Sequence, residues 1–138
     1  MSANDFDEAF AASHLALRAM AQGDSGPGDS GPSTSQWSRR GDTTLANPFG
    51  PPIVGWENIA KEAARVAAGL AGGDNFAFEE LARVVTQDLG YVVGIERSMV
   101  RRVGADAPSP LALRVTTVFR RDESGWFLVH RHADRVTT

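Results

Sequence analysis

LRVTTVFRRDESGWFLVHRH, from Leu113 to His132, decides the fold. Two runs of β-branched and aromatic residues flank the turn-forming piece Asp122 to Gly125, so the stretch reads as strand, turn and strand. The strands are expected over Leu111 to Arg121 and Trp126 to Val136. Successive side chains in a strand alternate between faces. Unbroken alternation sends Trp126, Leu128, His130, His132 and Asp134 one way and Phe127, Val129, Arg131 and Ala133 the other. The first set begins apolar and ends polar, which suits a pocket with an apolar floor and a hydrogen-bonding wall.

Upstream of this hairpin the period is still two, with strands expected over Phe76 to Thr86 and Tyr91 to Val100 and turns at Gln87 to Gly90 and Gly104 to Pro110. Before Asn75 the period is helical. Asn4 to Gln22 places Phe6, Phe10, Leu17 and Met20 or Ala21 at helical spacing, with Asn4 or Asp5 as cap and Gly23 as stop. Trp56 to Leu70 does the same with Trp56, Ile59, Ala63, Val66 and Leu70, and Gly72 with Gly73 ends the run. Between the helices, Thr43 to Asn47 reads as a brief strand and NPFGPP, Asn47 to Pro52, as a turn. Helices followed by long strands give an α+β class, with helices packed on one face of an antiparallel sheet.

The chain of 138 residues is expected to form one domain, 1–138, with a core of its own. A flexible loop is expected at 23–36, where Gly23 to Pro27 repeats as Gly28 to Pro32. The Gly-Asp-Ser-Gly within it matches the nucleophile motif of trypsin-like proteases, but the longer double barrel and the partner residues are missing, so a protease is set aside. A net charge of −3 speaks against nucleic acid as a partner, since phosphate binding needs clustered positive charge. No run of about 18 apolar residues is present, so no membrane partner is expected. The acidic MSANDFDEAF lacks the pattern of a secretion signal, and the cytoplasm is the expected location. Without cysteine there is no thiolate chemistry.

Three pieces carry a family resemblance: Gly23-Asp24 after the first helix, WSRRGDTTLANPFGPPIVGW from Trp37 to Trp56, and the closing hairpin with RRD, a turn, GW and HxH. On these the chain resembles the NTF2-like superfamily, and within it the SnoaL-like and ketosteroid-isomerase-like proteins, with a closing hairpin similar to the calcium/calmodulin-dependent kinase association domain. The resemblance implies a cone-shaped, cystatin-like α+β fold. It leaves function open, because the superfamily holds isomerases, dehydratases, cyclases, binding proteins and association modules. Ketosteroid isomerases carry the proton-moving aspartate in a DPxG motif, where this chain reads Asn47-Pro48-Phe49-Gly50. Asparagine cannot be that base, and Asp42 is the nearby carboxylate that would substitute. Their oxyanion tyrosine lies on the first helix, whereas the only tyrosine here is Tyr91, on a strand.

Arg114 sits among apolar neighbours in LALRVTTV, and a buried guanidinium needs a carboxylate or a bound anion. Glu96, in the equally apolar VVGIER, is the expected partner. With Arg120 opposite Trp126, as the turn in the resembled family implies, Arg114 faces His132 and Thr116 faces His130. A bulge or one-residue slip near Arg121 to Gly125 instead moves Arg114 to the other face. The candidate catalytic residues are His130, His132 and Asp42. The candidate ligand contacts are Arg114, Glu96, Thr116, Asp134, Trp37, Asn47 and Tyr91, with Trp37 at the pocket mouth and Trp56 in the core. An ion shared by His130 and His132 lacks converging further ligands, and His14 is tied to the pair by no spacing, so neither metal nor cofactor is expected. Two functions follow. One is binding of a hydrophobic carbonyl or carboxylate compound, with acid/base turnover as an isomerase, dehydratase or cyclase. The other is a non-catalytic association module or binding accessory; in either case a homodimer is expected.

Overall fold

The computed structural model describes residues 3–23 and 36–136; the repeated Gly/Ser/Pro segment expected to be a flexible loop lies almost wholly outside the described residues. The elements in chain order are α1 (Ala3–Ala21), β1 (Thr44–Ala46), β2 (Ile53–Val54), α2 (Trp56–Ala68), β3 (Leu70–Val85), β4 (Leu89–Arg102), β5 (Ser109–Asp122) and β6 (Gly125–Arg135). Both helices pack on a curved six-stranded sheet of order β2-β1-β6-β5-β4-β3. The α+β cone expected from the sequence is the fold observed. β3 to β6 form the antiparallel meander, while β1 runs parallel to β6 and antiparallel to β2.

α1 buries Phe6, Phe10, Ala16 and Ala21, and α2 buries Ile59, Ala63 and Ala67. Phe6 is fully buried and meets Phe119 and Trp126 edge to face, each at 5.2 Å between ring centroids. Trp37, Leu45, Val92 and Leu128 complete this core, and Trp56 packs on its margin beneath Arg39, 3.6 Å above the ring. Edge-to-face geometry adds to simple area burial, which makes the start of α1 a strong anchor on the sheet. Glycine on β4 permits the approach. A Cβ at Gly90 would stand 2.6 Å from the Phe6 ring.

β3 begins six residues before the expected start. Gly72 and Gly73 do not stop the chain but lie inside the strand, at register shifts on either side, with Gly73 directly beneath Ala21 of α1. The helix instead ends at Gly69, whose backbone N–H donates to the carbonyls of Val66 and Ala67.

The closing hairpin holds the main departure from simple alternation. Arg121 pairs with Trp126 and Phe119 with Leu128, but Val118 pairs with His130, so Val129 is an extra residue in β6. Such a bulge reverses the facing of everything beyond it. Trp126 and Leu128 point to the core before it, and Arg131 and Ala133 point inward after it, while His130, His132 and Asp134 turn to the outer face. The expected pairs are therefore corrected: Arg114 lies opposite Asp134, and Thr116 opposite His132.

Candidate functional site

Between the helices and the inner face of the sheet lies a cavity of about 240 Å³. A smaller one of about 80 Å³ adjoins it, and the two share Leu17, Met20, Phe49, Val66, Leu113 and Arg131 in their walls. The walls are mainly aliphatic and aromatic, and three polar side chains converge inside them.

Each of the three is placed by a different element. β4 turns Gly90, Val92, Gly94 and Glu96 inward by alternation. At Gly94 a Cβ would stand 2.3 Å from the Phe78 ring, so its absence lets Phe78 lie against the strand and form the wall beside Glu96. β6 delivers Arg131 inward because of the bulge at Val129. α1 delivers His14 from the stripe Phe6, Phe10, His14, Arg18, in which a spacing of four keeps side chains on one helix face.

Arg131 is 9% exposed and grips Glu96 with both terminal nitrogens, Nη1 to Oε2 and Nη2 to Oε1, each at 2.8 Å. This is the planar, two-pronged geometry that a guanidinium and a carboxylate share. The His14 ring stands 4.4 Å from Phe10 and 4.8 Å from Phe78 between centroids, with Nε2 3.8 Å from Glu96 Oε2. That distance is electrostatic contact without a hydrogen bond.

Burial holds the His14 pKa below its usual 6.5; Glu96 pulls the other way, and the charges of Arg131, Arg18 and Arg83 reinforce burial. The imidazole is therefore neutral near pH 7. For Glu96, burial raises the pKa, but the charge and paired hydrogen bonds of Arg131 together outweigh it, so the carboxyl stays below its ordinary value and ionised. The result is a neutral base beside a fixed carboxylate in a largely apolar space. An imidazolium formed at His14 would find its counter-charge already in place.

Of the residues singled out in the sequence, Glu96 lines the larger cavity, and Trp37 and Asn47 line the smaller. Trp37 is buried rather than set at a mouth. The Asn47 Oδ1 accepts a hydrogen bond from the Phe49 backbone N–H. The others lie elsewhere. Arg114 is 67% exposed and pairs with Asp134, not Glu96, through Nε to Oδ1 at 2.9 Å and Nη2 to Oδ2 at 2.6 Å. Asp42 is held by Arg120 at 2.8 and 3.1 Å, and that contact keeps its carboxyl below the ordinary range. His130 shares a 2.8 Å hydrogen bond with the Thr44 hydroxyl, and burial keeps its pKa low. Tyr91, Thr116 and His132 lie on the same outer face as His130.

Arg131 was missed because unbroken alternation put it on the wrong face. The unalternating apolar run Trp126 to Val129 is the one trace of the bulge in the sequence. His14 had a clearer signal, since it falls four residues after Phe10 on a stripe that must face the sheet.

The fold is that of the NTF2-like, cystatin-like α+β cones of known structure. No family model matches the sequence, and neither does a curated protein. Solved structures do. An NTF2-like family protein from Streptomyces avermitilis, proposed to be a dehydratase, aligns at TM-score 0.78 with 22% identity over 98% of both chains. A ketosteroid isomerase-like protein from Erwinia carotovora atroseptica aligns at 0.73 with 19% identity over 94% of both. A protein from Thiobacillus denitrificans, proposed to be a calcium/calmodulin-dependent protein kinase type II association domain, aligns at 0.70 with 19% identity over 95% of this chain and 94% of that one. At these identities the likeness establishes the fold.

Proposed function

We propose that this chain binds a small, largely apolar molecule inside the cone, and that His14 moves a proton on it. The observation that carries this reading is the buried group of His14, Glu96 and Arg131 within an otherwise apolar cavity of about 240 Å³. A structural ion pair alone explains neither the open space beside it nor a neutral imidazole facing that space. Resemblance of the fold to a ketosteroid isomerase-like protein and a proposed dehydratase supports proton-transfer chemistry on a hydrophobic carbonyl compound.

In the reaction class this favours, His14 takes a proton from carbon next to a carbonyl and Glu96 stabilises the imidazolium; the proton then returns at another carbon as the double bond shifts, or goes to a β-hydroxyl whose C–O bond breaks, so that water leaves and a C=C bond forms. Arg131 holds Glu96 ionised and oriented. Thr117 Oγ1, buried with no hydrogen-bond partner among the described residues, lies in the smaller cavity beside Arg131 and supplies a hydroxyl for a ligand oxygen.

Binding is tested by thermal shift with a panel of small hydrophobic ketones and enones. A ligand at 100 times its dissociation constant adds about 2.7 kcal/mol of stability. Turnover is tested by deuterium exchange at the activated carbon, where His14→Gln should slow exchange about 10²- to 10⁴-fold. Binding with equal exchange in both proteins removes His14 from the chemistry, and no binding by any member of the panel removes the cavity reading.

A second reading concerns the outer face of the sheet. Val54, Val84, Leu89 and Tyr91 are exposed there, next to half-buried Val93, Ile95 and Val118. We infer that a second copy covers the apolar part of this face, with Thr116, His130 and His132 at its polar margin and the Arg114–Asp134 pair left in solvent. Mass measurement in solution should give a dimer, and Tyr91→Asp should give the monomer with its fold intact; a wild-type monomer overturns this reading.

A further inference from the structure

The cavity holds the Arg131–Glu96 ion pair inside and is lined by arginines toward the outside. Arg18, Arg65 and Arg102 are all exposed and all line the larger cavity, so they mark its opening. They come from α1, α2 and β4, in a chain whose net charge is −3. Positive charge is thus gathered at this opening from three elements of an acidic chain.

The three are not equivalent. Arg65 is paired with Glu62, its Nε and Nη2 each 2.7 Å from a carboxylate oxygen. Arg18 and Arg102 have no carboxylate within ion-pair distance among the described residues. Their guanidinium groups lie over aromatic rings instead, Arg18 5.6 Å from Phe76 and Arg102 6.0 Å from Phe49, and Arg135 stands 5.6 Å from the same Phe49 ring. A guanidinium near a ring face and without a carboxylate partner keeps its N–H donors available for an oxyanion.

We propose that the molecule bound in the cone is an amphipathic carboxylate, with its apolar body inside and its carboxylate held at the opening by Arg18 and Arg102. This rests on the cavity reading above. The orientation follows from charge: deep in the cavity Arg131 is already neutralised by Glu96, so a second carboxylate there would meet Glu96 without a free cation. The apolar body is short. At about 30 Å³ per water-sized group, the interior takes about eight non-hydrogen atoms. Medium-chain or single-ring carboxylic acids fit that description.

The test is calorimetric titration of the whole chain with decanoate and, separately, 1-decanol, both below their aggregation limits and at low salt. Decanoate should bind about tenfold or more tightly than 1-decanol, and the difference should shrink as salt is raised. Arg18→Gln with Arg102→Gln should abolish the difference and leave 1-decanol unchanged, while Arg114→Gln on the outer face should alter neither. Equal binding of acid and alcohol by the wild type overturns the carboxylate assignment and leaves the apolar cavity standing. A difference that survives the double substitution overturns the role of these two arginines. No binding of either probe by the folded protein overturns the cavity reading and this inference with it.

Discussion

Two arginine–carboxylate pairs hold the strands of this sheet with nearly the same geometry and opposite surroundings. Arg131 and Glu96 meet through two hydrogen bonds of 2.8 Å inside the cone, and Arg114 and Asp134 meet through two of 2.9 and 2.6 Å on its outside. Solvent separates them. Water already satisfies both partners of the outer pair, so its formation changes little. The inner pair has given up that water, so either partner left alone is an uncompensated buried charge. Contact geometry alone therefore ranks the two pairs as equals, and burial ranks them far apart.

The largest effect should come from Glu96→Ala, which strands the Arg131 guanidinium: about 3–5 kcal/mol lost in urea unfolding. Removing both partners at once sharpens the point. Glu96→Leu with Arg131→Met replaces the pair by apolar volume and should leave stability near wild type, or raise it by about 1–4 kcal/mol, while proton exchange is lost. Retained exchange in that protein would show that the pair is structural only.

A smaller effect is expected with pH. The folded-state pKa of His14 is lowered from 6.5, so the unfolded chain takes up the proton first and stability declines as pH falls below 6.5. His130 is lowered by burial and by His132 and acts in the same window. Glu96 is also lowered, so its contribution is present above 4.5 and is lost as pH falls through its folded value. Unfolding followed from pH 8 to pH 3 should show two declines, and His14→Gln should reduce the first. Least of all, Asp134→Ala should leave the urea midpoint within experimental scatter, because its partner simply returns to water. A shift comparable to that of Glu96→Ala would erase the contrast between the faces.

Much of the fold was legible because it rests on periods. The change from a helical to an alternating pattern near Asn75 marked the passage from helices to meander, and Phe6, Phe10, Ile59 and Ala63 fell on faces that the structure buries. Glycines misled where they served packing. Gly73 read as a stop, yet it is the place where β3 passes beneath Ala21. The site was legible in part. Glu96 was picked out as the partner of Arg114, and Arg114 because its sequence neighbours are apolar, yet Arg114 stands in solvent and Glu96 pairs with Arg131. Apolar neighbours in sequence say nothing of a residue on the outer face of a strand, whose true neighbours come from adjacent strands.

What the sequence determined by itself is the order of elements, their class, and the apolar stripe of α1 through Phe6 and Phe10. These are consequences of local spacing along a helix or strand. What only tertiary structure decided is which face each residue of β6 takes after Val129. One extra residue there exchanges His130 and His132 for Arg131, because side-chain facing in a strand has a period of two and a single insertion inverts it. The partner of Glu96 was set by that inversion across a distance of 35 residues, which no local pattern records.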